Sequence, residues 1–227
     1  MANLKLTRVD KVQVLTWSDG GKGNVFNDES VGEWSAVLDQ LESSPGNTAL
    51  VITSDAPKFF SSGLDVFWVM QQPDVKPFIN RLENFFIRLS LLNMPVIAAI
   101  NGHAYAGGAV LACAADFRYM RADRGRFCFS EVKLGLPFTA PLLEVIRLLP
   151  APDALYELAL TGDAWGGDEC AVRGVVSASL KENEVLPAAL ARAAQLAEFD
   201  RSTYTSIKRG LRHALVPRDQ DPASSKH

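Results

Sequence analysis

The sequence predicts an α/β fold with a helical C-terminal part. Short apolar runs at residues 48–53 and Val96–Ile100 are typical of strands buried on both faces, and each follows a segment whose apolar residues repeat at helical spacing. A strand, a helix and a second buried strand in that order indicate a parallel crossover unit. From about residue 141 onward the periodicity is helical only, so strands come early in the chain and helices late.

The first predicted elements are a hairpin and a helix. Leu4–Val9 and Val12–Trp17 alternate in character on either side of Asp10-Lys11, which is the signal of a β-hairpin. A turn-rich stretch covers residues 18–24. A helix is predicted from Asn27, with Asn27 or Asp28 as its N-cap, because apolar residues then recur at helical spacing; they are Val31, Trp34, Val37, Leu38 and Leu41.

The rest of the chain alternates between strands and helices and then turns helical. After a loop at 54–62, a helix is predicted at 78–92, and residues 104–116 are typical of a buried helix because they are small and apolar. Residues 117–120 and 126–129 resemble strands around a polar turn. Further helices are expected at 141–149, Pro152–Thr161, 167–173, 184–199 and 201–214. We divide the chain into a core at 1–195 and a short C-terminal helical segment and tail at 196–227.

Composition places the chain among globular proteins with a sizeable core. Of its 227 residues 48% are apolar and 22% are charged, and the formal net charge is -3 without a basic stripe. This distribution argues against nucleic acid or an anionic membrane as the main partner. No apolar stretch reaches the roughly 18 residues of a membrane span, and the first residues lack the pattern of a secretion signal.

Cysteine usage predicts a reducing compartment. Cys113, Cys128 and Cys170 are odd in number and lack C-x-x-C spacing, so we expect neither a disulfide framework nor a zinc site, and no other metal. A cytoplasmic location fits best. The last three residues, Ser-Lys-His, are similar to the peroxisomal address Ser-Lys-Leu, which makes the peroxisome the alternative.

Two glycine-containing loops are the strongest functional signal. Residues 58–65 (KFFSSGLD) and 101–109 (NGHAYAGGA) each follow a buried strand, as ligand-binding loops do in α/β sheets. A glycine-rich turn that leads into a helix leaves backbone N–H groups free for an incoming oxygen atom. The alternative is that these glycines only permit tight turns and close packing of helix on strand.

These loops, together with the segments 94–102 (MPVIAAING) and 106–116 (AGGAVLACAAD), resemble the enoyl-CoA hydratase/isomerase (crotonase) superfamily. The resemblance extends from the hairpin to about Val176, and residues 103–131 resemble most the plant-type peroxisomal 3,2-enoyl-CoA isomerases. It implies a fold of repeated ββα units, assembly as a homotrimer or a dimer of trimers, and an acyl-CoA thioester as partner. Coenzyme A would be part of the substrate, and no separate cofactor is implied. The chain departs from the family in its short C-terminal part, where the pattern fades after about Ala214.

The resemblance also implies roles for individual residues. The backbone N–H groups of Leu64 and Gly107 would hold the thioester oxygen. Family hydratases carry one glutamate two residues after the glycine pair and another about twenty residues later, and here Val110 and Glu131 occupy these positions. A single carboxylate suits an isomerase in which Glu131 removes a proton from C2 and returns it to C4. The alternative for Glu131 is a surface residue at a strand end.

Several further residues are expected near the substrate, or compete for a role there. The predicted substrate-binding residues are Lys22, Ser62, Gly63, Gly108, Val110 and Pro137. Lys58 is a second possibility for contact with the coenzyme A phosphates, although either lysine could be merely solvated. His103 and Glu144 are candidates for a second acid, and Asp65 could orient a ligand or cap a helix.

Two other functions stay open at this point. The first is another thioester reaction on the same fold, as in a hydratase, a hydrolase or a decarboxylase. The second is a non-catalytic coenzyme A-binding subunit, which weak turnover with retained acyl-CoA binding would indicate.

Overall fold

The computed structural model describes residues 4–18 and 21–217. The described residues form eleven strands: β1 (Leu4–Val9), β2 (Val12–Trp17), β3 (Val25–Phe26), β4 (Ala49–Ser54), β5 (Phe59–Ser61), β6 (Gly63–Leu64), β7 (Val96–Ile100), β8 (His103–Tyr105), β9 (Phe117–Arg121), β10 (Phe127–Cys128) and β11 (Ala178–Leu180). They also form ten helices: α1 (Asp28–Glu42), α2 (Val66–Met70), α3 (Lys76–Ser90), α4 (Gly107–Ala114), α5 (Glu131–Leu134), α6 (Ala140–Ile146), α7 (Pro152–Thr161), α8 (Gly167–Val172), α9 (Glu182–Leu196) and α10 (Arg201–Leu211). No helix in this part of the chain is both long and apolar enough to cross a membrane.

The larger sheet contains the predicted hairpin and the predicted parallel strands. Its order is β1-β2-β4-β7-β9-β11, with β1 antiparallel to β2 and the other pairs parallel. Every residue of β4 and β7 is buried, because the two faces of the sheet are covered separately. Leu50 and Ile52 belong to the core on one face, whereas Val51 packs on the other face with Ala189 and Ala193 of α9. The α/β class and the buried strands are therefore confirmed.

The first helix begins as its sequence predicts. Ser30 N–H donates to Asn27 Oδ1 at 3.0 Å, and Asn27 N–H donates to Ser30 Oγ at 3.0 Å, so Asn27 rather than Asp28 is the N-cap. The buried face of α1 places Trp34 against Phe85 of α3, with ring centroids 5.1 Å apart. The apolar spacing of both helices thus forms one aromatic core beside the larger sheet.

Two small sheets, β10-β8-β5 and β3-β6, were not predicted from the sequence. The predicted loop at 54–62 contains β5, the predicted helix at 104–116 begins only at Gly107 because β8 precedes it, and β3 pairs in parallel with β6. The segment 126–129 is confirmed as a strand only at Phe127–Cys128. Strands of two or three residues are too short to show an alternation of apolar and polar side chains, which is why the sequence does not reveal them.

The C-terminal helices are fastened to the core by buried cations. Lys208 Nζ contacts Asp116 Oδ2 at 3.0 Å and donates to Met94 O at 3.0 Å, and Arg212 Nη2 contacts Asp116 Oδ1 at 2.8 Å. Arg201 Nη2 donates to Leu41 O at 3.0 Å, at the end of α1. The proposed boundary at residue 195 falls within the last turn of α9 and stays a prediction. Residues 218–227, including the Ser-Lys-His end, lie outside the described residues.

Candidate active site

The predicted site residues lie beyond the ends of three neighbouring parallel strands. β8 is the central strand of the small sheet β10-β8-β5 and pairs in parallel with both neighbours. Leu64 follows the end of β5 by three residues, Gly107 follows the end of β8 by two, and Glu131 follows the end of β10 by three. Because the carboxyl ends of parallel strands share one edge of a sheet, the structure brings these three residues to the same edge.

At this edge two backbone segments meet without a side chain between them. Gly63 has a φ of +91°, and a Cβ atom added to it would lie 2.9 Å from Gly107 N and 2.9 Å from the Cβ atom of Ala106. Both the backbone conformation and the space therefore require glycine at this position. The close approach of the Leu64 and Gly107 segments thus accounts for a glycine at residue 63, and its predicted role in substrate binding stays a prediction.

Two N–H groups are available where these segments meet. Gly107 is the first residue of α4, so its N–H has no partner within the helix. Asp65 N–H donates to Phe26 O at 2.9 Å, and because successive amides of a strand point in opposite directions, the Leu64 N–H points away from β3. This geometry is compatible with the prediction that Leu64 and Gly107 together bind one oxygen atom, which stays a prediction.

Ala106, immediately before the second of these amides, is held in a strained conformation. Its φ of 47° and ψ of -119° lie in a region that favours glycine, which costs on the order of 1–3 kcal/mol. Ala106 N–H donates to Cys128 O at 2.9 Å, and Ala106 O accepts from Val110 N–H at 3.0 Å. These bonds link β10 to the start of α4 and fix the direction of the Gly107 amide. An alanine carries no sequence signal for this conformation, so the conformation could not be predicted from the sequence.

Glu131 is the predicted acid–base side chain at this edge. It begins the short helix α5 and is half-buried, which corrects the alternative of a surface residue at a strand end. Burial raises the pKa of its carboxyl group from 4.5 to about 7, and only a backbone hydrogen bond opposes the shift. Its Oε2 atom is buried and has no hydrogen-bond partner among the described residues. A carboxyl group that titrates near neutral pH is suited to both accept and return a proton.

The helix that begins at Gly107 is apolar throughout. Val110 lies in its first turn and is 1% exposed within the main core. Cys113, one turn later, is the only ionisable side chain of α4, and burial raises its pKa to about 12, so the thiol is neutral at physiological pH. No carboxylate of α4 therefore complements Glu131.

The other predicted substrate-binding residues lie around the same loops. Lys22 is exposed and precedes Gly23, whose carbonyl oxygen accepts from Ser62 N–H at 2.9 Å. Gly108 is buried, and a Cβ atom there would lie 2.2 Å from Ser61 O, so packing alone accounts for this glycine. Pro137 is exposed between α5 and α6. The roles of these residues toward a substrate stay predictions.

The competing candidates have structural partners of their own. Asp65 caps α2, because its Oδ1 accepts from Trp68 N–H at 3.0 Å. Glu144 of α6 pairs with Arg147, the residue that follows this helix. His103 begins β8, at the opposite end from Gly107, and its ring stacks on Tyr105 with centroids 5.2 Å apart. Burial, and to a lesser extent the charge of Lys58, lowers the pKa of His103. Within the described chain no group of three or more His, Cys, Asp or Glu side chains could hold a metal ion.

Comparison with known proteins gives a consistent picture. Residues 8–225 match the family model described as enoyl-CoA hydratase/isomerase. The chain is 32% identical over 210 residues to the peroxisomal enoyl-CoA delta isomerase 2 of Arabidopsis thaliana, covering 87% of each chain. It is 32% identical over 201 residues to carnitinyl-CoA dehydratase of Escherichia coli K12, covering 86% of this chain and 74% of that one.

Solved structures share the fold. A probable enoyl-CoA hydratase from Mycobacterium tuberculosis superposes with a TM-score of 0.84 at 25% identity, covering 94% of this chain and 90% of that one. An enoyl-CoA hydratase/isomerase family protein from Pseudomonas syringae superposes with a TM-score of 0.86 at 24% identity, covering 94% and 91%. These similar proteins include an isomerase, a dehydratase and a probable hydratase by name, so the particular reaction has to be argued from the site.

Proposed function

The chain belongs to the enoyl-CoA hydratase/isomerase (crotonase) family, and from that premise we propose that it moves the double bond of a 3-enoyl-CoA thioester to the 2-position. The observation that carries this proposal is the single carboxylate. Glu131 is half-buried with a pKa near neutrality, and the hydrocarbon side chain of Val110 stands where family hydratases have their other glutamate. Addition of water needs a paired acid and base, whereas a double-bond shift needs one group that moves one proton.

The proposed reaction assigns one role to each part of the site. The thioester oxygen binds to the N–H groups of Leu64 and Gly107. The Glu131 carboxylate takes a proton from C2, the C2–H electron pair moves into the dienolate, and the negative charge gathers on the bound oxygen. The protonated Glu131 then delivers the same proton to C4, so that the double bond lies between C2 and C3. Atoms balance without water, which the buried Val110 helps to exclude.

The pH dependence of isomerisation should follow the Glu131 carboxyl group. The ionised form is the base, and the pKa of the group is about 7, so the active fraction rises with pH through that value. We expect kcat/KM to increase about tenfold per pH unit below pH 6 and to level off above pH 8. Rates with a 3-enoyl-CoA between pH 5 and pH 9 test this expectation. A profile that stays flat from pH 5 to pH 8 would show that a different group is the base.

The oxyanion assignment is tested at Gly107. Gly107→Pro removes the N–H donor at the first position of α4. We expect a loss of roughly 10²–10³ in kcat, as for removal of one oxyanion donor elsewhere. Gly107→Ala is the matched control, since it keeps the N–H and adds a Cβ that would lie 3.3 Å from the Gly63 Cα atom and from the Phe26 ring. Equal activity of the folded proline and alanine variants would contradict the assignment.

A double assay of the wild-type protein tests the reaction itself. One arm follows the appearance of the conjugated thioester from a 3-enoyl-CoA, and the other follows loss of conjugation when a 2-enoyl-CoA is hydrated. Isomerisation without hydration is the expected result. Rapid hydration would favour a hydratase or dehydratase, such as the E. coli relative is by name. If neither isomerisation nor hydration is detected but acyl-CoA binds, another thioester reaction or a non-catalytic binding subunit would be favoured.

Assembly and compartment complete the proposal. We expect a homotrimer or a dimer of trimers, as the family resemblance implies. The exposed side chains of Tyr156, Leu160 and Val172 on α7 and α8 support it, because they provide an apolar surface that a partner subunit could cover. We place the protein in the cytoplasm, with the peroxisome as the alternative that the peroxisomal plant relative supports.

A further inference from the structure

Two buried oxygen atoms without a hydrogen-bond partner lie in the segment that follows β10. Six buried side-chain nitrogen or oxygen atoms are unpartnered among the described residues, and two of them are Glu131 Oε2 and Thr139 Oγ1. The other four are scattered over the fold, on Trp34, Asn101, His103 and Ser179. Buried polar atoms are nearly always satisfied, so two such atoms within nine residues call for an explanation.

The segment folds back on itself, which brings its two ends together. Leu136 N–H donates to Glu131 O at 3.0 Å, closing the turn after α5. The ring of Phe138 then meets the ring of Phe129 edge-on, with centroids 5.7 Å apart and an interplanar angle of 88°. Glu131 follows Phe129 by two residues and Thr139 follows Phe138 by one, so both side chains start beside the same aromatic contact.

The Thr139 hydroxyl has no structural duty that would explain its burial. Thr139 is the residue before α6, but its side chain accepts no capping hydrogen bond there. Only its backbone is engaged, since Thr139 O accepts from Leu143 N–H at 2.9 Å. The residue is therefore held in place by its main chain while the hydroxyl keeps a hydrogen to donate.

The ionisable groups next to the Glu131 carboxyl offer no competing partner. From α4 the neighbour is Cys113, and from β10 it is Cys128; both feel the charge of Glu131. Burial raises the pKa of both thiols, so they stay neutral where the carboxyl group titrates.

The charged groups on α5 and its neighbour α7 are engaged elsewhere. Lys133 contacts Asp163 at 3.5 Å, and Glu157 pairs with Arg173 at 2.5 Å. Asp153, in the first turn of α7, is exposed to solvent. A hydroxyl donor is thus the group that the segment itself can supply to the carboxylate, and a hydrogen bond to an ionised oxygen is stronger than one to a neutral acid.

We propose that Thr139 is a positioning residue for Glu131, whose hydroxyl donates to Oε2 of the carboxylate in the substrate complex and leaves Oε1 to exchange the proton with C2 and C4. This inference rests on the proposed isomerase function. In this inference Thr139 Oγ1 and Glu131 Oε2 are hydrogen-bond partners. Their hydrogen bond forms when the substrate binds, because catalytic hydrogen bonds often tighten only in the substrate complex.

The test removes the hydroxyl and keeps the shape. Because Thr139→Val takes a donor from the ionised form, we expect the midpoint of the pH–rate profile to rise by about one unit and kcat at pH 7 to fall about fivefold, with KM unchanged. Thr139→Ser keeps a hydroxyl and should have the midpoint and the kcat of the wild type. Ser179→Ala is the matched control, since it deletes an unpartnered buried hydroxyl from β11, at the far edge of the larger sheet, and should change neither value.

A second readout separates this inference from the proposed function. The Glu131 carboxyl is titrated by ¹³C NMR with hexanoyl-CoA bound, and its resonance is assigned by its absence in Glu131→Gln. A higher midpoint in Thr139→Val supports the positioning role even if the wild type fails to isomerise. Unchanged midpoints in both the NMR titration and the rate profile, in an active enzyme, overturn it. Should Thr139→Val not fold, Thr139→Ala is judged by the same two midpoints.

Discussion

Glu131→Gln is expected to abolish isomerisation of a 3-enoyl-CoA while acyl-CoA binding is retained. The amide has nearly the shape of the carboxyl group but can neither accept the C2 proton nor return it to C4. General acid–base catalysis by one side chain is worth typically 10²–10⁴ in rate, and in the proposed reaction one group performs both transfers, so we expect kcat to fall by at least that range. We expect binding to be retained because the proposed oxyanion donors, the Leu64 and Gly107 amides, are backbone groups that the substitution does not remove. Turnover assays and calorimetric titration with hexanoyl-CoA provide the two measurements.

The control for this variant is Glu144→Gln. Glu144 is the other carboxylate considered as an acid, and in the structure it pairs with Arg147, the residue that follows α6. We expect its replacement to leave turnover within a factor of two or so, as for a partly exposed ion pair. Full activity of Glu131→Gln would remove Glu131 from the mechanism, and a comparable loss in Glu144→Gln would identify a second acid.

Glu131→Gln should also change the pH dependence of the free energy of unfolding, and this effect does not depend on any activity. The native pKa of Glu131, about 7, lies above its ordinary value of 4.5, so folding favours the neutral form. That contribution is fully present below pH 4.5 and is lost as the pH rises to 7. Glutamine is always neutral, and the variant should therefore gain on the order of 2 kcal/mol in free energy of unfolding at pH 8 relative to wild type, after allowance for partial exposure, and little at pH 4. Urea denaturation at the two pH values measures this difference.

Asp116→Ala is expected to destabilise the protein by about 3–5 kcal/mol, because it leaves buried charges without their counter-ion. The Asp116 side chain is 8% exposed and holds Lys208 and Arg212, whose side chains are 4% and 10% exposed. Its Oδ2 also accepts from Val96 N–H at 2.7 Å, at the start of β7. Burial already lowers the pKa of Lys208 to about 8, although the Asp116 charge opposes that shift. Without Asp116 both the anchor of α10 and a strand of the main sheet lose a partner.

The matched comparison is Glu198→Ala. Glu198 pairs with Lys11 at 2.7 Å, but the two side chains are 64% and 49% exposed, so the loss should stay below about 1 kcal/mol. Adding Lys208→Met to Asp116→Ala should recover part of the loss, since it removes one of the stranded charges. If Asp116→Ala costs no more than Glu198→Ala in urea denaturation, the buried contacts do not stabilise the C-terminal helix.

The local sequence pattern predicted those strands and helices that contain several apolar residues at regular spacing. The strand Val96–Ile100 and the helix Pro152–Thr161 both have the predicted bounds. A continuous apolar run favours the buried strand, and apolar residues at helical spacing favour the helix. The short strands β5, β8 and β10 were not predicted or only partly predicted, although the residues of the candidate site follow their ends. Their formation depends on pairing between segments more than twenty residues apart, and no local pattern encodes such pairing.

The sequence by itself determined the class of fold, the family and the absence of a carboxylate at Val110, because each depends on the order and chemistry of residues along the chain. Only the tertiary structure decided that Asp65 is a helix cap, that His103 lies at the wrong end of its strand, and that Ala106 is strained. It also decided that the Glu131 carboxyl group is desolvated enough to titrate near pH 7. Burial, backbone direction and the pairing of charges are properties of segments in contact, and they arise only when distant parts of the chain pack together.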